Sequence, residues 1–532
     1  MVTIDRAINL AIDNIIKEGL NDIFPPFFEV DFLKNKAFRK KIFQIVKAGF
    51  HEYTLESSQI HPISHVYFPK KEAYDFRKAA LIQPLDTIKY LALCIYIADE
   101  IEKAKPDKSR KIVFSYRYQP NKGYLFSPYY TFTSFEQHTA KKIKEKRVKV
   151  LIKVDIANFY ERLNLHRLES ILNSLNIEKK VVKLIDEMLK FWASRDSYGL
   201  PIGSNASRVL AEASLLEVDK FLMSHKVNFC RFVDDYRIFA PNGKIAHHWL
   251  SLLIERLALE GLVVNTAKTK MSDVSIGRSD GNGNKKEVRK RPTDQRPQII
   301  VGYTGVIPTK FRSPKKGEIK KLKSIDVKGL LSSLQSSEII DPPDYMEFLK
   351  AIVYSKKFNM IIDALRILDK FPQFTPYTVD MLIKLSDQIA SNVRHKIRNH
   401  FTKIISKESY LPEYIQISII RLLGQGPYAN KNVLLITFRE LRRSAGSYVG
   451  RALLESMESL INRGEVIEIR QYYERADPWE RRQIIRIVNN LLTEDEKRPW
   501  LRNIKLHLKD DPFATEIFSE TKQKDKGNKR QR

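Results

Sequence analysis

The chain has 532 residues, too many for one ordinary core, and at roughly 100–200 residues per domain it suggests two to four domains. With 43% hydrophobic residues and a mean hydropathy of −0.35 the composition is that of a soluble globular protein. No apolar run reaches the roughly 18 residues a membrane span needs. A formal net charge of +29 and a pI near 9.7 point to a polyanion such as nucleic acid as partner, and no basic amphipathic helix stands out to favour a membrane surface instead.

The N-terminus, MVTIDRAINLAIDNIIKEGL, carries Asp5, Asp13 and Glu18 in a helical pattern and does not read as a signal peptide, which leaves the chain in the cytoplasm. Helical patterning continues to about residue 60, broken at Pro25-Pro26. His61 and His65 have i, i+4 spacing but lack a third ligand, so they make a poor metal site. Next, Lys70, Lys71, Arg77 and Lys78 lie among apolar residues, as in a strand pair leading into a helix from about Thr87 to Lys103. These cations form either a solvated basic face or a clamp on a triphosphate, with Arg able to bind phosphate through two bonds. Cys94 and Cys230 are single residues in apolar segments, read as buried thiols with no disulfide or zinc framework.

Residues 111–135, KIVFSYRYQPNKGYLFSPYYTFTSF, interleave aromatics with Lys111, Arg117 and Lys122. That pattern serves equally for base stacking or for strand-rich core. The segment VKVLIKVDIANFYERL is an apolar run ending in Asp155, the signature of a buried strand that delivers a carboxylate, followed by Asn158, Phe159, Tyr160 and helix from about Leu165 to Ala193. In GLPIGSNASRVLAEASLLEVDKFL, Gly199, Pro201 and Gly203 form a turn. Ser204, Asn205 and Ser207 offer caps for a helix from about Ser207 to Met223.

RFVDDYRIFA then reads as a β-hairpin with Asp234 and Asp235 at its tip. Alone, an Asp-Asp turn is ordinary turn chemistry; together with Asp155 it becomes a way to hold a hard cation. If the hairpin lies beside the first strand, the three carboxylates can share two metal ions about 4 Å apart, the arrangement that activates a 3′ hydroxyl and stabilises a leaving pyrophosphate. Such chemistry needs positioning and charge neutralisation rather than a nucleophilic side chain.

A helix from about Ile245 to Glu260 and a turn and strand over Gly261–Met271 follow, with Lys268 and Lys270 near the end. Residues 272–298, rich in Gly, Asn, Pro and positive charge, read as a mobile basic loop before the short apolar strand IIVGYT. From about residue 338 the pattern is helical: Ile361, Ala364, Leu365 and Leu368 fall on one face, as do Ile415, Ile419, Leu422 and Leu423. Thr375-Pro376 and Asp477-Pro478 with Glu480 read as helix starts. Pairs of helices every 35–45 residues suggest a HEAT-like α-solenoid, with a helical bundle as the alternative. The tail TKQKDKGNKRQR reads as basic and disordered.

The succession KVDIANFY, GLPIGSNAS, FVDD and GLVVNTAKT resembles motifs A, B, C and D of reverse transcriptases, and RKAALIQPLD resembles the fingers motif before them. The motif wording, the helical extension and DPWERR are more narrowly similar to the bacterial abortive-infection (Abi-type) and defence-associated reverse transcriptases. The resemblance implies an α+β right-hand polymerase of fingers and palm followed by an all-α HEAT-like repeat domain. The expected division is 1–150 for N-terminal helices and fingers, 151–275 for the palm, 276–337 for a basic loop and connection, 338–515 for the helical repeats and 516–532 for the tail.

The resemblance further implies that Asp155, Asp234 and Asp235 bind Mg²⁺ or Mn²⁺, joined by the backbone of Ile156. Tyr160 would lie under the incoming sugar as a steric gate. Arg77, with Lys70 or Lys71, would hold the triphosphate, Lys268 would match the motif D lysine, and Gly203 would shape the nucleotide pocket. Ile202 stands where retroviral enzymes have Gln, and no usual thumb is recognisable. Implied partners are dNTPs, RNA or DNA, a noncoding RNA and further copies of the chain. The implied activity is DNA synthesis in antiphage defence, with protein-primed and untemplated synthesis among its modes. The alternatives are a catalytically silent nucleic-acid-binding scaffold, against which the intact carboxylates argue, and a mobile-element reverse transcriptase, disfavoured because no zinc-binding or endonuclease motif follows the palm.

Overall fold

A computed structural model describes residues 2–70, 76–193, 196–274, 310–336 apart from 315, 340–407 apart from 341, 411–441, 447–504, 508 and 510–517. Among these residues the strands are β1 (Ser64–Pro69), β2 (Phe76–Leu81), β3 (Tyr118–Asn121), β4 (Tyr124–Phe126), β5 (Val150–Asp155), β6 (Phe229–Phe232), β7 (Asp235–Ala240) and β8 (Lys270–Asp273). Chain contacts divide into two units, Met1–Ile63 with Ala79–Asp294 and Ser64–Lys78 with Gln295–Arg532.

The first unit is built on an antiparallel sheet in the order β6-β7-β5-β8. Its two central strands read as near-continuous apolar runs because both faces are covered: Ile152, Val154, Tyr236, Ile238, Phe239 and Ala240 are all at most 1% exposed. Val113 adds a short parallel bridge beside Arg231 of β6. The helix Gly243–Leu259 packs on β5 and β7, and Phe132–Lys142 packs on β6. A long buried helix, Pro84–Ala104, lies against Ile4–Glu18 and Asn205–Ser214. It begins three residues before the expected start because Pro84 occupies its first turn, where no backbone N–H is needed.

One expectation for this unit is corrected. The single helix expected over 207–223 is two helices, Asn205–Ser214 and Leu216–Ser224, meeting at Leu215. The Leu215 amide bonds back three residues to Glu212, and the break turns both Glu212 and Asp219 onto Arg231. The aromatic segment 111–135 is core in part: Phe114 and Phe132 both pack on Phe135, Phe132 and Phe135 also meet Phe232, and Arg117 is a buried ion-pair partner of Glu102, while Tyr124 and Tyr129 stay exposed. Cys94 and Cys230 are buried free thiols.

In the second unit helices begin at Lys316–Lys323 and Val327–Ser336, earlier than the expected start near 338; most of the expected basic loop, the strand IIVGYT and the tail lie outside the described residues. One row of helices runs Thr375–Lys384, Glu413–Leu423, Ser447–Met457 and Pro478–Leu491, each packed on the next. A second row runs Ile361–Lys370, Ser391–Lys407 and Lys431–Leu441. The apolar stripes read from sequence face inward, with Ile361, Ala364, Ile419 and Leu423 fully buried. Thr375 is the first helical residue rather than the cap, which is Phe374, so Pro376 sits one position further in than expected.

Asp477 caps Pro478–Leu491 as expected, accepting from the Trp479 and Glu480 amides while Glu480 accepts from the Asp477 amide. Burial and then the Asp477 charge push the Glu480 carboxyl up to about 8. Below the ordinary glutamate range both folded and unfolded chains hold this proton. As pH rises toward 8 the unfolded chain releases it first, so this group's contribution to stability falls over that window. Glu480→Gln should therefore flatten the decline in melting temperature between about pH 5 and pH 8 and exceed the native chain at pH 8. Parallel melting curves for the two proteins across that range would show that Glu480 titrates normally.

Candidate active site

The β5–β7 ladder runs Val150↔Ala240, Ile152↔Ile238, Lys153↔Arg237 and ends on Asp155↔Asp235. Side chains directly opposite in an antiparallel pair share a face, with Cβ atoms about 5 Å apart, and like charges there are destabilising. Burial, with the nearby Asp155 charge, raises the Asp235 carboxyl above its ordinary value even though Arg237 works the other way. Two cations answer this repulsion: Lys268 Nζ lies 3.3 Å from Asp155 Oδ2, and Arg237 Nη1 lies 3.5 Å from Asp235 Oδ1. The junction is tied from both sides. Asn265 donates its amide to the Asp155 carbonyl at 2.7 Å, Ala157 to Val263 at 2.8 Å, and Ile156 to the Asp234 carbonyl at 3.3 Å.

Asp234 occupies the turn between β6 and β7, where its charge is felt by Tyr160 and Tyr236. Among the described residues no three His, Cys, Asp or Glu side chains converge as a ready ligand cluster. The donor set nevertheless fits a hard cation: the paired Asp155 and Asp235 are oxygen ligands whose repulsion a divalent ion relieves, and the groups on them now are an ammonium and a guanidinium.

Tyr160 stands on the short helix Phe159–Arg162, which starts directly after this junction. Its hydroxyl shares a hydrogen bond with Tyr116, whose ring lies 5.2 Å beneath the Arg208 guanidinium, and burial followed by the Tyr116 neighbour raises the Tyr160 phenol well above its usual value. Gly203 has φ +107, which only glycine adopts freely, and a Cβ there would meet the Asn21 side chain at 2.3 Å. Asn21 Nδ2 in turn donates to the carbonyls of Ala80 and Ile202, so this glycine admits a clamp between the N-terminal segment and the 199–203 turn. Ile202 itself is buried and bridges Ala79. Lys70 and Arg77 are half-buried in the 64–78 segment, outside the unit that carries the carboxylates. The unit thus brings together Asp155, Ile156, Asp234, Asp235, Tyr160 and Lys268, with Gly203 on the adjoining turn.

Sequence reasoning missed a charge network beneath the hairpin. Arg231, fully buried, binds Asp219 through Nε at 2.9 Å and Nη2 at 2.7 Å, and Glu212 through Nη2 at 3.1 Å. Lys105 Nζ reaches Glu212 at 3.5 Å and Glu102 at 3.3 Å, and Arg117 closes on Glu102 at 3.1 Å. Burial opposes ionisation of Glu212, but Arg231 and Lys105 outweigh it and hold the carboxyl below its ordinary value. A signal was available: Glu212 and Asp219 stand seven apart on an otherwise apolar helical face, and Arg231 interrupts an apolar strand. Because removing one member leaves a buried charge uncompensated, Asp219→Ala should lower unfolding free energy by about 3–5 kcal/mol in urea titrations, and a loss under about 1 kcal/mol would mean Arg231 finds water or another partner.

With this geometry established, residues 101–305 match the family model described as reverse transcriptase (RNA-dependent DNA polymerase). No curated protein matches the chain. Similar solved structures include telomerase from Candida albicans in complex with a TWJ fragment of telomeric RNA, at 12% identity and a TM-score of 0.28 over 87% of this chain and 72% of that one. Apo telomerase from Candida tropicalis is similar at 13% identity and a TM-score of 0.28, over 87% and 86%. The match over residues 101–305, which spans β5, β7 and the β6–β7 turn that carry Asp155, Asp235 and Asp234, identifies a reverse transcriptase domain in this chain, and with it an RNA-directed DNA polymerase.

Proposed function

We propose that the chain is a DNA polymerase of bacterial antiphage defence, of the abortive-infection type, that joins nucleotides by two-metal chemistry at Asp155, Asp234 and Asp235. One observation carries the site reading: within a reverse transcriptase domain, the ladder ends with Asp155 directly opposite Asp235 and with Asp234 in the adjoining turn. Asp155 and Asp235, with Asp234 and the backbone of Ile156, would hold Mg²⁺ or Mn²⁺, which when bound neutralises charge on the attacking and leaving oxygens. Lys268 balances the Asp155 charge and is exposed enough to turn toward a phosphate. Tyr160 packs under the sugar of the incoming dNTP, its phenol kept neutral by burial and fixed by Tyr116, and Gly203 shapes the turn beside it. The triphosphate role of Lys70 and Arg77 rests on the motif resemblance alone.

The net charge of +29 supports RNA or DNA as partner, while a noncoding RNA rests on the motif resemblance alone. The two-row packing of the second unit supports a HEAT-like repeat. Protein-primed and untemplated synthesis, a homo-oligomer and a place in the bacterial cytoplasm belong to the same reading and rest on the motif resemblance. Sequencing nucleic acid that copurifies with the chain, including DNA covalently attached to it, tests the defence and priming parts directly.

Asp155→Asn and Asp234→Asn should each reduce primer extension and primer-free synthesis by roughly a thousandfold or more, the rate equivalent of several kcal/mol of lost charge stabilisation. Retained synthesis in both variants would remove the carboxylates from the chemistry. Tyr160→Ala should admit rNTPs, seen as ribonucleotides in alkali-labile product; unchanged rNTP exclusion would assign the gate to another residue.

A further inference from the structure

Val233 opens the turn between β6 and β7 with φ +54 and is 2% exposed. In this left-handed region a β-branched side chain crowds its own backbone, so the conformation persists only where neighbours over-determine it. Ser115 supplies that constraint. Its Oγ, fully buried, accepts from the Val233 amide at 2.9 Å and donates its own proton to Glu212 Oε1. Glu212 is held by Arg231 and Lys105, and Arg231 Nη1 also lies 3.5 Å from the Val233 carbonyl. Ser115 cannot drift, because the preceding residue is bonded into the sheet edge: Phe114 donates to the Arg231 carbonyl at 2.9 Å, and Arg231 donates to Ile112 at 2.8 Å. With its proton committed to Glu212, the hydroxyl can only accept at the turn.

We propose that Ser115 is a positioning residue for the metal site: its hydroxyl holds Val233 in the left-handed turn that sets Asp234, and Asp235 after it, beside Asp155. The proposal rests on the reading of those three carboxylates as the divalent-cation site. Ser115 touches neither substrate nor ion and acts through the Val233 backbone. Removing the hydroxyl leaves a buried amide without an acceptor and an unfavourable conformation without its restraint, so the turn relaxes and the carboxylates disperse.

The test uses the full chain, Mn²⁺ binding followed by electron paramagnetic resonance without nucleotide, and dTTP incorporation on oligo(dT)-primed poly(rA). Asp234→Asn sets the reference. If it keeps native Mn²⁺ binding and synthesis, the carboxylate reading itself fails, whatever Ser115 does. If it loses them, Ser115→Ala should weaken Mn²⁺ binding by roughly tenfold and lower kcat by a similar factor, with KM for dTTP nearly unchanged. Ser115→Thr keeps the hydroxyl and should retain native binding, while Ser115→Val, isosteric with that threonine but lacking the hydroxyl, should reproduce the alanine defect even if Ser115→Ala proves too unstable to assay. Adding Val233→Gly to Ser115→Ala should recover most of the Mn²⁺ affinity, since glycine adopts φ +54 without help. A folded Ser115→Ala or Ser115→Val with native Mn²⁺ affinity and kcat overturns the proposal. So does a defect that follows melting temperature alone and is not relieved by Val233→Gly.

Discussion

The pairing of β5 with β7 is the constraint on which the first unit depends. Its register sets every inward side chain of the two central strands, and a slip of one residue would move the apolar set to the wrong face. The same register ends on two carboxylates facing each other, a placement a structural protein would avoid. The apolar pairs behind them, Val150–Ala240, Leu151–Phe239, Ile152–Ile238 and Val154–Tyr236, offset that repulsion. The cations at Lys268 and Arg237 offset more of it, although Lys268 is largely exposed and its ion pair is weak in water. Stability is thus borne by the middle of the strands, and their ends carry charge that Lys268 and Arg237 balance only in part.

A second layer of order lies under the hairpin. Arg231, Asp219, Glu212, Lys105, Glu102 and Arg117 form a continuous buried network that joins the helices on either side of the 215 break to the strand edge and the 105–117 segment. Hydrophobic residues of similar volume would often serve stability as well, so such a network is better understood as fixing geometry than as adding free energy. Its contact with the turn runs through Ser115 and Arg231, both of which reach the Val233 backbone. The N-terminal segment adds a separate restraint, Asn21 clamping the 199–203 turn over Gly203.

Much of this was legible in the chain. The apolar run into Asp155, the alternation through RFVDDYRIFA and the order of the four motifs together named the strands, the hairpin and the carboxylates, because period-two patterning and acidic turns are local signals. Helix starts with side-chain caps, such as Asp477, were also local and came out as read. The break at Leu215 was not, since 207–223 is amphipathic throughout and only the demand of Arg231 for two acids divides it. Gly203 read as a backbone made close for a ligand, whereas its neighbour in the fold is Asn21, a residue 182 positions earlier that no periodicity links to it.

By itself, then, the sequence determined the chemistry available: acids at strand ends, a strongly basic surface and a helical second half, each a matter of residue type and spacing along the chain. Only the tertiary structure decided which acid faces which, that Asp155 stands opposite Asp235 with Lys268 and Arg237 on them, and that a buried serine bonds the β6–β7 turn just before Asp235. The physical reason is that pairing register and buried polar networks join segments tens to more than a hundred residues apart. Their energy depends on mutual desolvation, which does not exist until the core has closed around them.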